Sequence, residues 1–176
     1  MQLRKKLTVI IPVKEDKKTI QKFIKENKKL LESARIIVIN KEGGEELRRF
    51  ADKFILSEEP LWSARRKGIL LVKTPFTLNL DADVVLPFSY IEEAIKLLEK
   101  EKEVIAVSIE FEKVLGHLPF GHSLWKTEWL KKLYDWDPSK RTCECLWMWS
   151  KVHKSKKRIE TMCLRAKHLN EFKFKF

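Results

Sequence analysis

The chain has 176 residues and carries 37 Lys and Arg against 25 Asp and Glu, a formal net charge of +12. That length suits one core, and 44% hydrophobic residues with only 5 Gly and 6 Pro exclude a disordered, collagenous or linker-rich chain. Three Cys in a chain of this size exclude a disulfide scaffold and fit a reducing compartment.

The positive charge calls for an acidic partner, and nucleotide diphosphates, nucleic acid and anionic membrane surfaces all qualify. Abundant Lys, Glu and Ile with little Gln resembles thermophile composition. No stretch approaches the ~20 apolar residues of a membrane-spanning helix. Arg4, Lys5 and Lys6 ahead of an apolar run imitate a signal peptide, but Lys14, Glu15 and Asp16 stand where small cleavage-site residues belong. The run therefore reads as a buried first strand of a cytosolic protein.

In chain order, residues 7–13 are β-branched and nearly all apolar, as in a strand covered on both faces. Asp16 or Thr19 caps a helix through about residue 32, with Ile20, Phe23, Ile24, Leu30 and Leu31 facing inward. Residues 35–40 form a second buried strand running into Gly43-Gly44, followed by a short helix over 45–53 and a brief strand at 54–56. A helix over 62–72 ends near Thr74-Pro75. Residues 76–80 are a strand, Pro87 opens another helix, and 104–111 are a strand. Strands separated by helices imply βαβ units, and ligands of such sheets bind at the carboxyl ends of the strands. Beyond Gly116 the chain reads as Trp-rich and irregular. The ending Phe172-Lys173-Phe174-Lys175-Phe176 alternates as an edge strand or interfacial tail would.

Asp81-Ala82-Asp83 is the most informative tripeptide, because it follows a buried strand and precedes a helix-opening Pro. Two carboxylates this close repel unless a cation or donors lie between them, and a divalent ion with a substrate diphosphate is the natural partner. Taken alone, the tripeptide equally suits a solvated turn. Three further segments accompany it in order: Val9-Ile10-Ile11-Pro12-Val13, then Ala64-Arg65-Arg66-Lys67-Gly68-Ile69, then Leu78-Asn79-Leu80 leading into Asp81. Later come Tyr134-Asp135-Trp136-Asp137-Pro138, Glu144-Cys145-Leu146, Arg158-Ile159 and His168.

This ordered set resembles the family 2 glycosyltransferases over residues 7–168. The resemblance implies an α/β protein of GT-A fold, with a mostly parallel central sheet flanked by helices. It implies a single domain over 1–176, with a nucleotide-binding half at 1–87 ending in the DxD element and an acceptor-side half at 88–176. The implied activity is metal-dependent, inverting transfer of a sugar from a nucleoside-diphosphate sugar to an acceptor hydroxyl. By the same resemblance Asp81 contacts the ribose or sugar, and Asp83 coordinates Mn²⁺ or Mg²⁺ with His168 in the metal shell. Pro12, Val13, Asn40, Arg65 and Arg66 line the donor, and Glu144 is the general base with Asp135 and Asp137 in reserve. Asn40 stands where the family commonly reads the base with Asp. Lys14-Glu15-Asp16 replaces the usual Tyr-Asn-Glu, and Cys145 replaces an expected Asp. That last change makes a nucleotide-sugar-binding relative without catalysis the rival within the fold.

Other readings stay beside this one. Cys143, Cys145, Cys163, His153 and His168 match no common zinc module. The basic run 151–158 suits a solvated helix face or a phosphate, RNA or lipid-headgroup contact. Trp125, Trp129, Leu130, Leu133 and Trp136 suit core packing or a membrane-interfacial acceptor site. The expected partners are the donor, a glycan, lipid or protein acceptor, and a peripheral membrane surface. Nucleic acid is not expected, although a basic nucleic-acid- or membrane-binding module is the rival from another class.

Overall fold

The computed structural model describes residues 3–111, 120–140 and 142–169, the side chains of Phe111 and His168 excepted. The helices are α1 (Leu3–Lys6), α2 (Lys17–Glu26), α3 (Lys28–Ser33), α4 (Leu61–Leu71), α5 (Phe88–Lys100), α6 (Thr127–Leu133) and α7 (Glu144–Lys154). The strands are β1 (Leu7–Lys14), β2 (Arg35–Glu42), β3 (Lys53–Leu56), β4 (Phe76–Asn79), β5 (Val84–Val85), β6 (Val104–Phe111), β7 (Leu124–Lys126) and β8 (Arg158–His168). They form one sheet in the order β3-β2-β1-β4-β7-β6-β8-β5. The β1–β2, β1–β4, β2–β3 and β6–β8 pairs are parallel, whereas β7 runs antiparallel between β4 and β6, and β5 antiparallel to β8.

Both faces of the sheet are covered, which is why β1 and β2 read as unbroken apolar runs. Ile20, Phe23, Leu30 and Leu31 of α2 and α3 join Tyr90, Ile91, Ile95 and Leu98 of α5 on one face. Ala64 and Ile69 of α4, Leu130 and Leu133 of α6, and Met148 and Val152 of α7 cover the other. Each such large apolar side chain contributes about 1.5–3 kcal/mol by leaving water.

The expected helix over 16–32 is two helices. Asp16 caps α2 as expected, its Oδ1 accepting the Thr19 N–H at 3.0 Å. Asn27 then interrupts the helix because its buried side chain serves a distant strand: Nδ2 donates to the Val84 carbonyl at 3.0 Å, and Oδ1 accepts the Leu86 N–H at 3.4 Å. This amide pins β5 just beyond the Asp81-Ala82-Asp83 turn. The segment expected as a helix over 45–53 is a 3₁₀ helix, Glu45–Phe50.

The stretch beyond Gly116, expected to be irregular, contains β7, α6, α7 and β8 where it is described. Trp125 lies in β7 and is buried, whereas Trp129, Leu130 and Leu133 lie in α6. The basic run 151–158 is likewise not one helix face: α7 ends at Lys154, Lys156 takes a positive φ of 57°, and β8 starts at Arg158. The Phe-Lys tail at 172–176 lies outside the described residues.

Candidate active site

The site is built where β4 ends. The chain turns through Leu80, Asp81, Ala82 and Asp83, fixed by the Asp81 N–H donating to the Gly121 carbonyl at 2.8 Å and the Val84 N–H to the Asp81 carbonyl at 3.1 Å. Gly121 lies against the Asp81 side chain so closely that a Cβ there would overlap the carboxylate. This cradle has no counterpart in the sequence reading, where Gly121 carries no motif.

Arg65 reaches the turn from α4. One turn further on, Gly68 lets that helix close on the sheet; a Cβ at 68 would come 2.5 Å from Ile10 Cγ2 and 3.1 Å from Ile39 Cδ1. The Arg65 side chain is thereby buried, 5% exposed, and its two terminal nitrogens donate to Asp81 Oδ1 and Glu144 Oε2. Glu144 is the first residue of α7, and its side chain is 11% exposed. Its second oxygen, Oε1, accepts the Tyr134 hydroxyl at 2.6 Å. Phe120 completes the wall, stacked on Tyr134 with ring centroids 5.3 Å apart and 5.8 Å from the Arg65 guanidinium.

Burial works against the Arg65 charge, but Asp81 and Glu144 outweigh it and hold the guanidinium above its ordinary value. Burial pushes the Glu144 carboxyl above the usual carboxylate range, against the opposing pull of Arg65 and the Tyr134 hydroxyl. Burial, then Glu144, also keeps the Tyr134 phenol protonated. A buried carboxylate with a raised proton affinity is chemically suited to accept a proton.

The remaining residues expected at the site divide clearly. Pro12 and Val13 line a cleft of about 380 Å³ at the carboxyl ends of β1 and β2, with Lys14, Lys41, Glu58 and Glu59 among its walls. Asn40 is not among its lining residues; it is buried near the end of β2, where Oδ1 accepts the Gly44 N–H at 2.9 Å and Nδ2 donates to Glu45 at 3.2 Å. Arg66 is exposed on the outer side of α4. Asp137 stands apart from Arg65 and Glu144, capping its own turn through the Ser139 N–H at 2.8 Å. Asp135 accepts the Trp147 indole N–H at 2.7 Å and Lys151 at 2.6 Å. The Cys145 thiol accepts the Phe120 N–H at 3.2 Å, and burial pushes it up to about 11.

For a metal, the relevant contact is between β5 and β8. Val84 pairs with His168, and the Leu169 N–H donates to the Asp83 carbonyl at 2.7 Å, so Asp83 and His168 are backbone neighbours. Among the described residues no group of three His, Cys, Asp or Glu gathers to hold an ion, nor do the cysteines form a zinc cluster. Asp and His, adjacent here along the backbone, are residue types that fit Mg²⁺ or Mn²⁺ taking its other ligands from water and a substrate diphosphate. No helix among the described residues is long and apolar enough to cross a membrane.

Comparison with known proteins matches this architecture. The model of glycosyl transferase family 2 matches residues 8–150. A mannosyltransferase from Pyrobaculum calidifontis, solved with GDP-Man and Mn²⁺, superposes with a TM-score of 0.76 at 16% identity, over 97% of this chain and 59% of that one. Residues 1–349 of S. aureus TarS, solved with UDP-GlcNAc, give 0.66 at 14% identity over 92% and 58%. Glucosyl-3-phosphoglycerate synthase from Mycobacterium tuberculosis, solved with Mg²⁺ and UDP, gives 0.68 at 14% identity over 94% and 72%. Such likenesses establish the GT-A fold, and the chain spans under two thirds of the first two relatives. No curated protein matches the chain in sequence.

Proposed function

Because the chain belongs to glycosyl transferase family 2, we propose that it moves a sugar from a nucleoside-diphosphate sugar to an acceptor hydroxyl, with inversion at the anomeric carbon. The observation that carries this reading is the buried carboxylate of Glu144, joined through Arg65 to Asp81 at the carboxyl end of β4. The donor lies across the strand ends, its nucleoside in the cleft beside Pro12 and Val13. Asp81 meets the ribose or sugar. Glu144 takes the proton of the acceptor hydroxyl as that oxygen attacks, a role worth typically 10²–10⁴-fold in rate. Arg65 fixes Asp81 and Glu144 relative to one another. Its two terminal nitrogens each serve one of these carboxylates. A divalent ion held by Asp83 and His168 supplies positive charge against the diphosphate when bound. Relatives solved with GDP-Man and Mn²⁺, or with Mg²⁺ and UDP, support this donor and metal chemistry.

The acceptor is a glycan, lipid or protein. One observation favours presentation at an anionic membrane: Leu146, 62% exposed, and Trp149, 39% exposed, share the outer side of α7 near exposed His153 and Lys154. Apolar side chains flanked by cations suit a headgroup boundary.

The test is a melt of the protein with GDP, UDP or ADP, with and without Mn²⁺, followed by transfer assays on Glu144→Gln. A nucleotide at 100 times its dissociation constant raises stability by about 2.7 kcal/mol. Glu144→Gln should lose about 10²–10⁴-fold in transfer with donor affinity nearly unchanged. Donor binding without transfer or hydrolysis by the parent would instead make this an inactive relative. Salt-sensitive RNA binding without nucleotide affinity would make it a basic binding module.

A further inference from the structure

Every polar atom of the Glu144 carboxylate is held from a different element. Arg65 of α4 holds Oε2, and Tyr134, the residue that ends α6, holds Oε1 at 2.6 Å. Tyr134 is itself fixed on three sides. Its N–H closes α6 on the Leu130 carbonyl at 2.9 Å, its ring stacks on Phe120, and its side chain is buried. Phe120 in turn leans on Trp125 at 5.8 Å and donates its N–H to Cys145, the residue next to Glu144. The hydroxyl has a second acceptor within reach, the Trp62 carbonyl at 3.2 Å. A phenol has one proton to give, so at any moment it serves Glu144 or Trp62.

We propose that Tyr134 is a positioning residue for Glu144, aiming its carboxylate while ionised and releasing it once it has taken a proton. This rests on the reading of Glu144 as the base. With Glu144 ionised, the hydroxyl donates to Oε1 and, with Arg65 on Oε2, fixes the plane of the carboxylate. When Glu144 takes the proton of the acceptor hydroxyl, Tyr134 keeps its own and rotates it to the Trp62 carbonyl. The Tyr134 hydroxyl thus has an acceptor in either state. The groups facing Glu144 are Arg65 of α4, Asp81 after β4 and Tyr134 after α6, with Cys143 and Cys145 flanking it in the chain. Of these, Tyr134 alone is a neutral donor to the carboxylate, so its removal takes away a hydrogen bond and leaves every charge in place.

Tyr134→Phe keeps the ring on Phe120 and deletes only the hydroxyl. The expected result is a fall in kcat of about tenfold, the scale of one hydrogen bond to a charged group, with the donor KM unchanged. The acid limb of the kcat profile should move to higher pH, because the ionised carboxylate loses a donor. Carbon-detected NMR of the Glu144 carboxyl, assigned by its absence in Glu144→Gln, reads the same link without turnover: its titration should move up in Tyr134→Phe. An unmoved titration, or a kcat and pH profile equal to the parent's, overturns the role of Tyr134 and leaves Glu144 as base intact. A parent without transfer or hydrolysis overturns the base reading instead, and the carboxyl titration still decides whether Tyr134 holds Glu144. A fall in donor affinity with an unchanged pH profile would assign Tyr134 to packing and also overturn the proposal.

Discussion

Arg65→Met tests whether one guanidinium holds the site together. The substitution keeps the stem that packs under α4 and removes the only cation bonded to both Asp81 and Glu144 among the described residues. Removing one partner of a buried ion pair costs about 3–5 kcal/mol, because the other charge is stranded. Asp81, a third exposed at 34%, can rehydrate, so the cost falls mainly on Glu144. That places the loss near the lower end, about 3 kcal/mol, or a fall of roughly 6–12 °C in Tm for a chain of this size. The pH dependence has a definite sign. The Glu144 carboxyl already lies above its ordinary value through burial, and loss of Arg65 removes the main opposing pull and raises it further. At low pH the mutant's Glu144 is protonated and uncharged, so the penalty relative to the parent is small. It grows as pH rises through the carboxyl's titration. Urea denaturation of both proteins at about pH 5 and about pH 8 measures this directly. Equal penalties at the two pH values, or a loss under about 1 kcal/mol at the higher one, would refute the idea that Arg65 neutralises a buried carboxylate. Arg65→Lys, a cation without the two-pronged fork, should fall between the two.

Gly121→Ala should weaken Mn²⁺-dependent nucleotide binding, read by calorimetry, since its Cβ would displace the Asp81 carboxylate. Asp83→Asn should abolish the Mn²⁺-dependent part of nucleotide affinity while the metal-free protein melts at a similar or higher temperature, as one of two neighbouring carboxylates is gone. Gly43→Ala meets two penalties, a left-handed φ of 78° and a Cβ overlapping the Glu15 carbonyl; an unfolding free energy from urea denaturation lowered by more than about 1 kcal/mol is expected. Replacing Leu146 and Trp149 together by Ser should reduce co-sedimentation with anionic vesicles at low salt and leave the melting temperature near the parent's, as both side chains are exposed.

Much of the fold is legible because buried parallel strands write themselves as apolar, β-branched runs, and residues 7–13, 35–40 and 104–111 are of that kind. Asp16 and Pro87 mark helix starts through local chemistry alone. The misread parts depend on partners far away in sequence. Asn27 breaks a helix that periodicity would continue, because its amide is taken by Val84 and Leu86, across more than fifty residues. Strand β7 has three residues, too few for any period, and exists because β4 and β6 offer it antiparallel edges.

The site divides along the same line. Motif order picks out Arg65, Asp81 and Glu144, but not that they touch, since their separations are 16 and 79 residues. Their meeting depends on Gly68 seating α4 and Gly121 leaving room for Asp81, and neither glycine announces that role locally. In sequence Glu144 is the candidate base and Asp137 a reserve, two carboxylates in adjoining motifs. Their surroundings separate them. Asp137 is held by its own turn, where the Ser139 side chain and N–H keep its carboxyl below the ordinary value, stable as an anion and reluctant to take a proton. Burial does the reverse to Glu144. A general base must bind the proton it removes, so the choice between the two rests on dielectric surroundings that only the folded chain creates.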